Sequence, residues 1–360
     1  MIRLRPTIGA LALRTGALSL WRRGALGVDA LLKRVRLAAR VQRGVLIFVF
    51  HRISDRDNPF RPGTPLGLFD QVCAHLAEHY EVLPLDELER RRFGRRASRA
   101  VAITFDDGYA DNHRLALPVL RRYGLPATVF ITTGCMEGRH ILWTSRLAWT
   151  LEHGVVPDEP VILCGRQLAL NTPGERLIAL AQLKQQLKEV DESEREEALA
   201  QLAETLRVNQ EGGELQREML TWDELREMEA SRFIAGAHTV SHPILSRESE
   251  ARQRAEICDG RDVLEAQLRR RVDLFAYPNG GPADYDETTV GVVRSAGFRL
   301  ACTMRFAAND ETVSPYELRR VSVYMDNFPE LALYTERFFY LTREPAPAAA
   351  DGDAASHGAC

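Results

Sequence analysis

Apolar positions along this chain alternate between two rhythms. Residues 44–50 (GVLIFVF) are an unbroken apolar run, with the length and composition of a strand buried on both faces. Residues 66–80 follow, with Leu68, Phe69, Val72, Leu76 and Tyr80 at helical spacing. The pair then repeats. Residues 101–105 are apolar or β-branched, and residues 112–123 put Leu115, Val119 and Leu120 on one helical face until Gly124 and Pro126 stop the helix; residues 127–132 again read as a strand. Further strands are expected at 81–84, 233–235, 274–276, 299–303 and 318–323, and helices at 86–93, 219–228, 248–268, 286–296 and 328–341. Thr221, with Glu224 three residues on, supplies a capping box for one of these helices. Apolar strands alternating with amphipathic helices predict an α/β fold, a parallel sheet or barrel covered by helices.

From about residue 135 to 213 the rhythm breaks. A Pro- and Gly-rich part holds a candidate strand pair, 161–163 with 167–170, around Cys164, Gly165 and Arg166. Residues 175–206 are charged and helical, with Leu177, Leu180, Leu183, Leu187 and Val190 on one face. Two readings stand: a helical hairpin forming a lid over a cleft, or a solvated insertion at a tolerant loop.

Residues 1–43 carry ten Arg and Lys against one acid, Asp29. Their apolar runs fall short of the roughly 20 residues needed to cross a bilayer, so no integral membrane segment is expected. Arg14, Arg22 and Arg23 interrupt any secretory core, which reads as a cytoplasmic location. The arm is either an amphipathic segment in peripheral contact with an anionic membrane or a solvated helix packed on the domain. Residues 342–360, rich in Ala and Pro, read as a disordered tail.

Composition narrows the partners. A chain of 360 residues that is 45% hydrophobic can bury a sizeable core, and a net charge of −3 lacks the basic excess of nucleic-acid binders. The six cysteines are scattered without a C-x-x-C pair, which argues against a disulfide framework and a thiolate zinc site.

The chemistry concentrates in two places. Asp106 and Asp107 stand side by side at a strand end before Gly108. Adjacent like charges are tolerated when one carboxylate binds a cation and the other acts as a base, although a solvated Asp-Asp-Gly turn has the same composition. Far along the chain, His238 and His242 are four apart, a spacing that places both on one face of a helical turn kept brief by Pro243. Together with Asp107 they offer two imidazoles and one carboxylate, the donor set of a catalytic zinc site. Cobalt, nickel or iron would also suit it.

Thr104-Phe105-Asp106-Asp107-Gly108 and His238-Thr239-Val240-Ser241-His242 resemble motifs of the polysaccharide deacetylases, the NodB-homology or family-four carbohydrate esterases. Residues 274–280 (LFAYPNG) are similar to that family's third motif. The resemblance implies a distorted (β/α)7 barrel over a catalytic domain at 44–341, and hydrolytic removal of acetyl groups from N-acetylated sugars. It implies one divalent ion on Asp107, His238 and His242, Asp106 as general base, and substrate binding by Tyr277, Pro278 and Asn279, with a backbone N–H near Tyr277 assisting the oxyanion. The third motif lacks its usual arginine, and Arg305 and Arg320 are both candidates to replace it. No Leu-x-His motif follows His242 to supply the general acid. A permuted subgroup similar to the poly-N-acetylglucosamine deacetylases places that motif at the start of the domain, where Phe48-Val49-Phe50-His51-Arg52 makes His51 the candidate acid. Trp143, Trp149, Tyr277 and Tyr285 suit stacking on sugars. The alternatives are an amidase for a non-sugar C–N bond, or a silent carbohydrate-binding module. The second has no use for an intact Asp106, Asp107, His238 and His242.

Overall fold

A computed structural model describes residues 44–92, 100–210 and 213–323, with residues 328, 329 and 332. The expectations for the arm at 1–43, the tail at 342–360 and most of the helix at 328–341 lie outside the described residues. The apolar runs become strands β1 (Leu46–Phe50), β2 (Glu81–Val82), β3 (Ala100–Phe105), β4 (Ala127–Ile131), β5 (Phe233–Ala237), β6 (Leu274–Ala276), β7 (Leu300–Cys302) and β8 (Val321–Ser322). They form one sheet in the order β7-β6-β5-β4-β3-β1-β8, with β2 beside the start of β3. Every pairing is parallel: β1 runs with β3 from Leu46↔Val101 to Phe50↔Phe105, and β4 with β5 from Ala127↔Phe233 to Ile131↔Ala237. An isolated parallel bridge joins Cys302 of β7 to Leu318 in the segment leading into β8, where the Leu318 N–H donates to Ala301 O at 2.8 Å and the Thr303 N–H to Leu318 O at 2.7 Å. The sheet thus curls into a parallel half-barrel, as the resemblance to a distorted barrel implies.

Strand side chains alternate between faces, and the core divides accordingly. Leu46, Phe48 and Phe50 pack with Phe69 and Leu76 of helix α1 (Leu66–His79), while Ile47 joins Ala100, Ala102, Phe130, Ala276 and Cys302 in a second cluster on the other face. Small residues suit that curled interior, because Phe130 fills it. A Cβ on Gly236 would meet the Phe130 ring at 2.6 Å. Helices α2 (Leu85–Arg92) and α3 (Leu117–Tyr123) complete the first crossovers, and Gly124 closes α3 at φ 65°.

The insertion has a core of its own. Helices α4 (Trp143–His153), α5 (Pro173–Leu187) and α6 (Glu192–Thr205) pack around Leu147, Leu183, Leu199 and Leu202, with the antiparallel pair Val161–Leu163 and Arg166–Leu168 between α4 and α5. It is tied to the barrel on both flanks. Arg61 pairs with Glu152 at 3.1 Å and Glu218 at 2.7 Å, and Glu192 accepts from Ser241 Oγ at 2.9 Å and Arg252 at 2.8 Å. Phe60 of the barrel also packs into its apolar cluster. The insertion is therefore an anchored wall, and the picture of a solvated loop is corrected.

Helix α7 (Trp222–Glu229) starts at the expected capping box, with Glu224 N–H on Thr221 Oγ1 at 3.2 Å and Thr221 N–H on Glu224 Oε2 at 2.9 Å. Helices α8 (Glu250–Leu268) and α9 (Glu287–Ser295) lead into β6 and β7. Among the described residues no helix is long and apolar enough to cross a membrane.

Candidate active site

Parallel strands deliver their following residues to one rim. His51 comes after β1, Asp106 and Asp107 after β3, His238 after β5 and Tyr277 after β6. The ladder extends one bond past the strand ends: the Asp106 N–H donates to Phe50 O at 3.0 Å and the His238 N–H to Ile131 O at 2.9 Å. Asp107 then turns into the left-handed region at φ 74°, a conformation Asp tolerates better than most residues, and Gly108 follows at φ 86°.

The expected helical turn across His238 and His242 is not formed. Thr239 and His242 lie at φ 65° and 63°, which no helix accommodates. The loop is held by partners instead. Thr239 Oγ1 accepts the His242 N–H at 3.1 Å, and Glu256 of α8 accepts the N–H groups of Val240 and Ser241 at 2.9 and 2.8 Å. Gly134 donates to Val240 O at 2.8 Å, an approach so close that a Cβ there would lie 2.6 Å from the same oxygen.

This loop brings both imidazoles to one carboxylate. Nε2 of His238 and Nε2 of His242 each lie 3.3 Å from Asp107 Oδ1, and all three side chains are buried. Asp107 Oδ1 accepts no hydrogen bond, although it is buried. Such an atom is costly unless a cation fills its coordination. His238 Nδ1 donates to Ala276 O at 2.7 Å, which leaves the Nε2 lone pair free to ligate. Burial would raise the Asp107 carboxyl, but the two imidazoles outweigh it and hold its pKa well below the usual range. Burial lowers His242, whereas at His238 the Asp107 carboxylate overcomes burial and raises the ring. The donor set fits a divalent cation.

The neighbouring carboxylate is kept off this cluster. Asp106 receives both prongs of the Arg320 guanidinium, Nη1 on Oδ1 at 2.7 Å and Nη2 on Oδ2 at 2.6 Å. Burial favours the neutral acid, yet Arg320 prevails and lowers the Asp106 pKa below its ordinary value. Of the two arginines the sequence left open, Arg305 is half-exposed and faces Glu317, so Arg320 is the one at the site. His51 Nε2 lies 4.0 Å from Asp106 Oδ2, with 43% of its side chain exposed. A cavity of about 700 Å³ opens over these groups, lined by His51, Asp107, His242, Asn279 and, from the insertion, Trp143.

Residues 94–301, more than half of the chain, match the family described as polysaccharide deacetylase. The chain belongs to the polysaccharide deacetylase family. Members are hydrolases acting on N-acetyl C–N bonds. A Bacillus subtilis (strain 168) protein named as a polysaccharide deacetylase, YxkH, is 34% identical over 227 residues, 63% of this chain and 52% of its own length. This chain thus spans about half of that relative. Among solved structures, deacetylase PplD of Streptococcus pyogenes in complex with acetate aligns at TM-score 0.54 and 20% identity, over 81% of this chain and 98% of that one. IcaB from Ammonifex degensii aligns at 0.53 and 21%, over 81% and 97%. At these identities the two structures establish the shared fold.

Within this deacetylase fold, two expectations about the third motif change. Tyr277 is fully buried, its N–H donates to Cys302 O at 3.1 Å and its hydroxyl to Tyr316 O at 2.9 Å, so an N–H for the oxyanion would have to come from a neighbour and not from Tyr277 itself. Pro278 is buried as well, and of the three expected substrate-binding residues only Asn279 lines the cleft. The aromatic platform is also smaller. Tyr285 stacks on Tyr277 at 4.4 Å and Trp149 on His153 at 3.8 Å, which leaves Trp143 in the cleft. The sequence reading missed Glu256, since an acid on a charged helix carries no local mark of the loop it holds.

Proposed function

We propose that this protein is a metal-dependent hydrolase removing acetyl groups from N-acetylated sugars, in a polysaccharide or in a sugar intermediate of cell-surface glycan synthesis. The observation that carries the reading is the meeting of Asp107, His238 and His242 on one cleft with a second, arginine-held carboxylate and an open histidine. Family membership supports it.

Asp107, His238 and His242 would hold a divalent cation, zinc by its fit to two imidazoles and a carboxylate, and when bound it would supply Lewis-acid polarisation of the acetyl carbonyl and of water. Asp106 takes the proton of the attacking water; Arg320 keeps it ionised and holds both of its oxygens in place. His51, open to the cleft, donates a proton to the departing amine. Asn279 lines the same cleft with Nδ2 buried and unpaired, a donor suited to a sugar oxygen.

Acetate release by zinc-loaded protein from N-acetylglucosamine oligomers and acetamido-sugar intermediates tests the proposal. Turnover of a non-sugar amide, with none on any sugar, would move the activity to that alternative. The basic excess of residues 1–43 supports a peripheral contact with anionic membranes. Vesicle co-sedimentation unaltered by deletion of residues 1–40 would remove that part.

A further inference from the structure

Helix α5 of the insertion carries Lys184, and Lys188 follows its last turn at the (i, i+4) spacing that puts two side chains on one face. Both lysines line the same cavity as His51, Asp107 and His242. Each is half-buried, and among the described residues neither ammonium meets a carboxylate or donates to a protein acceptor. Burial and the charge of Lys188 lower the Lys184 pKa, the expected consequence of two cations held together without a counter-charge.

The arginines on this cleft are already matched. Arg52 is spent on Asp111 and Glu218, and Arg61 on Glu152 and Glu218. Among the described residues Asp57 is the single carboxylate lining the cavity apart from Asp107, and it pairs with neither lysine. Two further donors on the lining also lack acceptors. Trp143 Nε1 is buried and unpartnered in a side chain only 4% exposed, and Asn279 Nδ2 is likewise unpartnered. A cavity with surplus donors and surplus positive charge is complementary to a group that only accepts hydrogen bonds and is anionic.

We propose that Lys184 and Lys188 form an anion subsite, so that the substrate carries a negatively charged group, a phosphate ester or a uronic carboxylate, next to its acetylated sugar. The inference rests on the deacetylase reading and names the substrate class within it. The anchoring of the insertion to the barrel on both flanks gives the subsite a fixed distance from the cluster of Asp107, His238 and His242. Selection then works through charge and reach, and neutral polymers lose the contribution of both lysines.

Wild type and Lys184→Gln/Lys188→Gln, which keeps good helix formers, are compared at equal zinc content on three substrates. These are a neutral N-acetylglucosamine oligomer, an oligomer alternating N-acetylglucosamine with glucuronate, and an N-acetylglucosamine diphosphate ester. The expected result is a wild-type preference of about tenfold or more in kcat/KM for one anionic substrate over the neutral one, weakened by salt and lost in the variant chiefly through KM. Which anionic substrate is favoured identifies the source of the charge. Acetate release without an anionic preference, or a preference that the variant retains, overturns the subsite and leaves the deacetylase reading standing. Calorimetric binding of the diphosphate ester and the glucuronate oligomer reports on the lysines without turnover. If neither anion binds the variant more weakly than wild type, the subsite is refuted even where no acetate is released, whereas weaker binding with no acetate release from any substrate sinks the deacetylase reading alone.

Discussion

Arg320 reaches across 214 positions of sequence to grip Asp106 with both prongs of its guanidinium, and both side chains are almost completely sealed from solvent. The arginine is itself fixed, because its Nε donates to Thr303 O at 2.9 Å and Nη1 also reaches Thr104 Oγ1 at 3.3 Å. Arg320→Lys keeps the charge and loses the fork. Its kcat should fall well below wild type with zinc content retained. Arg320→Met leaves a buried carboxylate without its partner and should destabilise the fold by about 3–5 kcal/mol. Wild-type kcat in Arg320→Lys would show that the orientation of Asp106 is immaterial.

The adjacent carboxylates should separate by assay. Asp106→Asn is expected to keep zinc and lose about 10²–10⁴-fold in turnover, the usual share of a general base. Asp107→Asn should lose both zinc and turnover, because its oxygen is the one shared by the two imidazoles. Elemental analysis beside acetate release checks the pair. Full zinc occupancy in His238→Ala/His242→Ala would eliminate the site.

His51→Ala should fold and hold zinc, since its side chain is 43% exposed and its structural contact, Asn112 Nδ2 on the His51 carbonyl at 2.8 Å, is made by the backbone. Turnover of an acetamido substrate should drop by about 10²-fold or more, while an aryl acetate, whose leaving group needs little protonation, should lose much less. Equal losses on both would make His51 structural.

Asp111 sets a pH dependence of stability. Burial raises its carboxyl to about 6 against the pull of Arg52, whose charge is shared with Glu218. The native state therefore holds this proton more tightly than the unfolded chain, where the value is about 3.9. Its contribution is most favourable below about pH 4 and is lost as pH rises through about 6. Asp111→Asn accepts the Ile53 N–H without titrating, so stability relative to wild type should shift towards the variant across that window, by up to about 3 kcal/mol. Urea unfolding at the two ends of the window measures it. Parallel pH profiles for the two proteins would exclude Asp111 as the group.

Local rules made much of this protein legible in its sequence. Apolar runs at residues 44–50 and 101–105 form adjacent strands, Thr221 with Glu224 caps α7, and the Asp-Asp-Gly and His-x-x-x-His spacings mark the cluster of Asp107, His238 and His242. The runs, the cap and the two motifs are each written within a few neighbouring residues, where the sequence can be read directly, although their meeting in the sheet and the cluster is not. Pairing across the barrel is another matter. That Arg320 rather than Arg305 meets Asp106, that Glu256 holds the histidine loop in a shape no helix permits, and that the Tyr277 N–H is consumed by Cys302 follow from strand register and helix placement. So does the arrival of Lys184 and Lys188 on the cleft, because an amphipathic helix declares which face is apolar but not which wall its polar face will line. Those contacts are fixed only when the curled sheet and the anchored insertion set the distances between segments that local propensity leaves free.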